Sequence, residues 1–250
     1  MDPRLRILRM LEEGKITVDE AARLLEALSR GEPSRYGSRR FRRDMIDSIS
    51  QFIENTISLI GDELREHLSM YRVRGESEID APIKSKVKVK AIAGDVTIKE
   101  GMQPDRVKVY GYSIYKSVKD DELVIESPED DIEVELPHVH ELYISAIHGN
   151  IEGVVSTEHI EVKILSGDIE LKLKHLVDGE LETTSGDIIV YVPKDANLII
   201  DAETKSGDLT YDVAGECIEK EPGCLKFKLN RGEHTLKLRT ASGDIEIREA

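Results

Sequence analysis

HIEVKILSGDIELKL, residues 159–173, alternates aliphatic with charged residues, breaks at Ser166-Gly167-Asp168 and then resumes the alternation. Ile160, Val162 and Ile164 share one side of an extended chain before the break, and Ile169 and Leu171 share one side after it. Alternation with period two marks a strand with one buried face. Glycine accepts backbone bends that other residues avoid, and aspartate can accept backbone N–H bonds inside a turn. The stretch reads as strand, corner, strand, with the same face turned inward on both sides of the corner.

Six related copies occur: AGDVTI (93–98), HGNIEG (148–153), SGDIEL (166–171), SGDIIV (185–190), SGDLTY (206–211) and SGDIEI (242–247). Their glycines are separated by 55, 18, 19, 21 and 36 residues. The long intervals are close to three and two periods, so degenerate units are expected inside them. In each copy the residues seven, five, three and one before the glycine are apolar or small, as in Val87, Val89, Ala91 and Ala93. A fixed period with fixed parity signals stacked repeats, none of which can bury its face alone. The expected fold class is mainly β: a single-chain β-solenoid of about 19 residues per coil, preceded by a small α-helical region. Eight or nine coils, about 40 Å long, would fill the repeat region. An antiparallel sandwich also alternates, but does not explain the constant parity about each Gly-Asp.

The corner residues are therefore Gly94, Asp95, Gly149, Asn150, Gly167, Asp168, Gly186, Asp187, Gly207, Asp208, Gly243 and Asp244. A metal-binding alternative exists for Asp168, Asp187 and Asp208, read as carboxylates on neighbouring coils. The nine-residue Gly-Gly-x-Gly-x-Asp pattern of calcium β-rolls is absent, which favours the structural role. His138, His140, His159 and His175 fall in or beside the turns opposite the corners, a second candidate metal cluster whose plainer reading is exposed turn residues.

The chain divides into four regions: 1–29, 30–43, 44–75 and 76–250. The first has helical spacing at Leu5, Leu8 and Leu11, a stop at Gly14, a capping box at Thr17–Glu20 and a second apolar face at Ala21, Leu24, Leu25 and Leu28. This helical hairpin is too small to bury a core alone. Residues 30–43 carry six arginines against one glutamate and read as a solvated basic linker. Ile46, Ile49, Phe52, Ile53, Ile57, Ile60, Leu64, Leu68 and Tyr71 form the stripe of an amphipathic helix. Its polar face is acidic, so it suits packing on protein, either a coiled-coil partner or the chain's own β domain, better than an anionic membrane.

ILRMLEEGKITVDEAARLLEAL (7–28) resembles the N-terminal helical module of the bacterial and archaeal "putative adhesin" family with β-strand repeats, a SHOCT-like oligomerisation module. The SGD-aliphatic repeats resemble the same family across most of 85–250. The resemblance implies a link to adhesion or cell-envelope stress and self-association through the N-terminal helices.

Net charge is −15 overall; residues 1–75 hold 14 Lys+Arg against 13 Asp+Glu, leaving 21 against 37 in the rest. The β region should therefore repel nucleic acid and anionic membranes. The few glutamines, the absence of tryptophan and the many Glu, Lys and Arg lean towards a heat-adapted organism. Neither an apolar signal core nor an 18-residue apolar run occurs, so the expected compartment is the cytoplasm or its membrane periphery. Cys217 and Cys224 could form one small bridge or remain free. No nucleophile elbow, P-loop, dinucleotide fingerprint or zinc-protease helix appears. The reading is a non-enzymatic scaffold or adhesin-like protein without cofactor, with an unknown protein or envelope partner. The alternatives are a DNA-binding regulator using the N-terminal helices and arginine arm, and a carbohydrate-binding or carbohydrate-active β-helix.

Overall fold

The computed structural model describes residues 76–112, 114–128 and 130–250. The helical hairpin expected at 1–29, the basic linker expected at 30–43 and the amphipathic helix expected at 44–75 lie outside the described residues. The described chain forms two sheets joined by strand–corner–strand coils.

Each coil places its first strand in sheet B and its second in sheet A. In spatial order the sheet B strands are β6 (Glu122–Ser127), β2 (Lys86–Ala91), β8 (Val139–His148), the second part of β9 (Ile151–Ser166), β11 (Asp178–Ser185), β17 (His234–Ser242) and β13 (Leu198–Thr204). Beyond the corners, sheet A continues with β7 (Ile132–Leu136), β3 (Val96–Glu100), the first part of β9, β10 (Ile169–His175), β12 (Ile188–Val192), β18 (Ile245–Glu249) and β14 (Leu209–Asp212). All these neighbours pair in parallel, as a solenoid requires.

Seven coils form among the described residues, fewer than the repeat spacing suggests. The 55-residue interval holds one further coil, β6–β7, with two antiparallel strands, and the 36-residue interval holds no further coil, only an antiparallel hairpin, so the degenerate units expected there are mostly absent. At one end, β4 (Arg106–Tyr112) pairs antiparallel with β7, and β1 (Glu76–Pro82) with β4. There β5 (Tyr115–Lys119) pairs antiparallel with β6. At the other end, β16 (Cys224–Lys228) pairs antiparallel with β13, and β15 (Glu216–Glu221) with β16. These strands extend both sheets at the first end and sheet B alone at the other, where β14 is the terminal strand of sheet A.

Spatial order also departs from chain order. The coil β2–β3 lies between β6–β7 and β8–β9, and the last coil, β17–β18, lies between β11–β12 and β13–β14.

The alternation is realised as read. Leu142, Ile144, Ile160 and Val162 are buried in sheet B, and Ile169, Leu171, Ile188 and Val190 in sheet A. Burying such a side chain stabilises the fold by about 1.5–3 kcal/mol. Three of the inward positions lying three residues before a corner glycine are threonines, and each has a partner. Thr183, Thr240 and Thr204 donate from Oγ1 to the carbonyls of Gly167, Gly186 and Gly243, at 3.0, 2.9 and 2.9 Å.

The corner glycines answer to the coil beside them. At Gly186, φ is +155° and an added Cβ would overlap the carbonyl oxygen of Gly167. The same relation links each glycine in the column to the preceding coil. The coil β6–β7 has no coil before it, and its corner, Ser127–Asp131, contains no glycine. Repeat counting by Gly-Asp misses this corner for that reason.

Candidate interaction surface

The corner aspartates form one hydrogen-bonded column. Asp131 accepts the Asp95 N–H at 2.8 Å, Asp95 accepts that of Asn150 at 2.7 Å, and Asn150 accepts that of Asp168 at 2.9 Å. Asp168 then accepts the Asp187 N–H at 2.8 Å, Asp187 that of Asp244 at 2.7 Å, and Asp244 that of Asp208 at 2.7 Å. Each Oδ1 serves the backbone of the next corner. Asp187 and Asp208 are not on neighbouring coils, because the last coil inserts Asp244 between them. Asn150 supplies the same acceptor without charge.

The histidines divide into two places. His138 lies with its ring centroid 5.5 Å from His175 and 6.3 Å from His140. His138 Nδ1 is 3.0 Å from Ser156 Oγ, and His140 Nδ1 is 3.1 Å from Glu158 Oε1. His159 instead packs beside Tyr143, 5.9 Å between ring centroids. Among the described residues, no group of three His, Cys, Asp or Glu side chains is arranged to hold a metal ion. An open pocket of about 230 Å³ adjoins His138, lined also by Ser156, Lys174, Glu100 and Met102. Lys174 and Glu100 pair across it at 2.6 Å.

The outward face of sheet B is the most developed surface. Registry sets its side chains in rows across the strands. Strand β6 offers Glu122 and Glu126, β2 offers Lys86, Lys88 and Lys90, and β8 offers Glu141 and Tyr143. Further along, β11 offers Glu180 and Glu182, β17 Lys237 and Arg239, β13 Asp201 and Glu203, and β16 Lys226 and Lys228. Lys88 pairs with Glu122 at 2.8 Å, Lys90 with Glu126 at 3.0 Å, and Lys86 with Glu141 at 3.4 Å. Arg239 reaches Glu180 at 2.7 Å and Glu203 at 3.8 Å.

These rows account for the non-sequential order. A lysine strand between β6 and β8 gives acid–base–acid, whereas chain order would set acidic β6 against acidic β8. Likewise β17 separates acidic β11 from acidic β13. Opposite charges across a pair contribute roughly 0.2–1 kcal/mol, and like charges cost similarly. The sequence displays KVKVK openly, but its partners appear only once strand order is known.

Tyr143 is the aromatic centre of this face. Lys86 Nζ lies 4.4 Å from its ring centroid, and its hydroxyl donates to Glu141 at 2.9 Å. Burial, reinforced by that bond and by nearby carboxylates, pushes its pKa up to about 12. Glu141 is lowered by accepting the same bond. Burial opposes charge on Lys163, but its hydrogen bond to Glu161, together with Glu161, Glu182 and Glu180, holds its pKa above the ordinary value. Sequence reasoning missed Tyr143 because a single tyrosine on an outward strand position carries no motif.

Both cysteines are free and exposed. Registry explains the absence of a bridge: Cys224 faces Glu221 across the hairpin, while Cys217 faces Phe227. Burial and then Glu203, Glu219 and Glu221 raise the Cys224 thiol.

The family described as Toastrack DUF4097 matches residues 54–248. The chain belongs to this family. A SHOCT-like domain matches residues 2–33 of the Toastrack chain. A solved structure described as a "putative cell adhesion protein" from Clostridium sporogenes ATCC 15579 is similar at 17% identity and a TM-score of 0.55, covering 70% of this chain and all (100%) of that one. An adhesin-titled structure from Bacteroides fragilis NCTC 9343 matches at 12% identity and a TM-score of 0.31, covering 72% of this chain and 99% of that one. The first likeness establishes a shared fold. No curated protein matches the Toastrack chain.

Proposed function

We propose that this Toastrack protein is a non-enzymatic, adhesin-like scaffold that presents sheet B to a protein or envelope partner. The observation that carries this reading is the charged face around Tyr143, with ion-paired groups of strands at β6–β2–β8 and β11–β17–β13, spread over roughly 40 Å of strands. A face held together by its own ion pairs suits broad contact with a partner better than turnover of a substrate in a cleft. The SHOCT-like segment adds self-association through the N-terminal helices. The proposed location is the cytoplasm or its membrane periphery, with a role in cell-envelope stress.

A photo-cross-linking residue at Val124 or Ser145, both on the outward side of sheet B, tests the reading in cells. One defined adduct from these positions, and none from Thr210 in β14, supports it. Equal labelling from both faces, or none from sheet B, refutes it. A glycan panel with product analysis separates the carbohydrate-active alternative, since release of sugar would establish turnover.

A further inference from the structure

Sheet B begins at β5 and ends at β15, and each of these strands is paired on one side only. They carry two of the four exposed large hydrophobic residues among the described residues, Val118 at 47% and Ile218 at 50%. Their charges are opposite. Strand β5, YKSVK, holds two lysines and no acid, and β15, ECIEKE, holds three glutamates and one lysine. None of Lys116, Lys119, Glu216, Glu219 or Glu221 forms an ion pair among the described residues.

At its two ends sheet B alternates in charge, and it stops at β15 with an acidic strand, after basic β16. It starts at β5 with a basic strand, before acidic β6. We propose that copies of this chain join head to tail through sheet B, with β15 of one copy adding to β5 of the next. Chain directions fit. Two antiparallel steps, β13 to β16 and β16 to β15, restore the direction of the coil strands, whereas β5 runs against it. Two copies with axes pointing the same way therefore present β15 and β5 in antiparallel orientation, the arrangement both strands already use with their own neighbours.

By register, Glu216, Glu219 and Glu221 lie on the side of the sheet that carries Lys119, while Val118 and Lys116 lie on the other side; Ile218 stands at the register break between Cys217 and Glu219 and adds apolar surface to the edge. The symmetric alternatives, β5 with β5 and β15 with β15, set like charges together. The favoured contact is consequently heterologous, and it propagates as an open chain of copies. Sheet A does not take part: its terminal strands, ESEIDAP and LTYD, are both acidic. A seam of one strand pair is small, so it forms weakly and responds to salt.

Sedimentation velocity of the full chain at increasing concentration, in about 50 and about 500 mM salt, tests this. The expected result is a concentration-dependent series of larger species that shortens at high salt. K116E/K119E makes both ends acidic, and E219K/E221K makes both ends basic. Each should weaken the growth step about tenfold or more. Equimolar mixing of the two, or combining all four changes in one chain, should restore it. E219Q/E221Q gives a milder test, because lysines opposite Lys226 could loosen the β15–β16 hairpin. Association through the N-terminal helices alone would yield a mass indifferent to these end variants. That indifference, or failure of both the mixture and the combined variant to regain growth, would overturn the proposal.

Discussion

Asp187 lies inside the corner column, with Asp168 on one side and Asp244 on the other. It accepts the Asp244 N–H at 2.7 Å. Neighbouring corners repeat about every 4.8 Å, at which two unit charges in water repel by about 0.9 kcal/mol. Removing the Asp187 charge relieves two such repulsions, and physiological salt reduces that relief to roughly 1 kcal/mol. Asp187→Asn keeps an acceptor but loses the extra strength of a charged one, about 1 kcal/mol. The two effects offset, so D187N should melt close to the parent, as Asn150 already does the same work in the column. Asp187→Ala gives the same electrostatic relief without an acceptor. D187A should therefore be less stable than D187N by about 1 kcal/mol, a fall of about 2–4 °C in Tm for a domain of this size. Thermal unfolding by circular dichroism, at low and physiological salt, reads both differences. Coincident melting of D187N and D187A would refute the acceptor role. A rise of several degrees with millimolar Ca²⁺ in the parent, absent in D187N, would show that the column's purpose is an ion.

Gly186→Ala forces a Cβ into the Gly167 carbonyl at φ +155° and should cost about 3–5 kcal/mol, visible as a fall in the denaturant midpoint. K86E/K88E/K90E turns the acid–base–acid order of β6, β2 and β8 into three adjacent acidic strands, and should lower the denaturant midpoint by about 2–4 kcal/mol of stability. Tyr143 has its pKa raised to about 12, so its contribution is complete below the ordinary tyrosine pKa and fades as pH climbs through the folded value. Tyr143→Phe should flatten the alkaline loss of stability over that window. Thiol labelling should modify both cysteines, Cys224 the more slowly at mildly alkaline pH because its thiol is raised by burial and carboxylates.

The coil itself is legible in the sequence because its constraints are local. Parity, glycine and acceptor recur around every corner, and Ile169 or Val190 announces its inward side without knowledge of any partner. Strand order is another matter. Every coil has nearly the same backbone pattern, so periodicity cannot say that β2 lies between β6 and β8. That information is pairwise, held in Lys88 against Glu122 and Arg239 against Glu180 and Glu203. The glycine-free corner at Ser127–Asp131 escaped the repeat count because the coil that would impose a glycine is not there. The end strand β15 escaped because ECIEKE lacks the apolar–polar alternation of the coil strands. Histidine positions in the sequence likewise did not reveal that His159 would leave the other three for Tyr143.

Among the described residues, both the first and the last coil in chain order lie within the stack. Most solenoids could lengthen by adding a coil at a terminus, each new unit resting on the one before. This domain has no growing tip: a coil appended after Glu249 would meet strands on both sides of β18. Duplication can lengthen it only from within, where β9, β10, β11 and β12 follow one another in both chain and space. The same arrangement ties completion of the stack to the coil that is made last within it. Until residues 234–249 have left the ribosome, the place between β12 and β14 has no occupant, and the finished surface of sheet B does not yet exist.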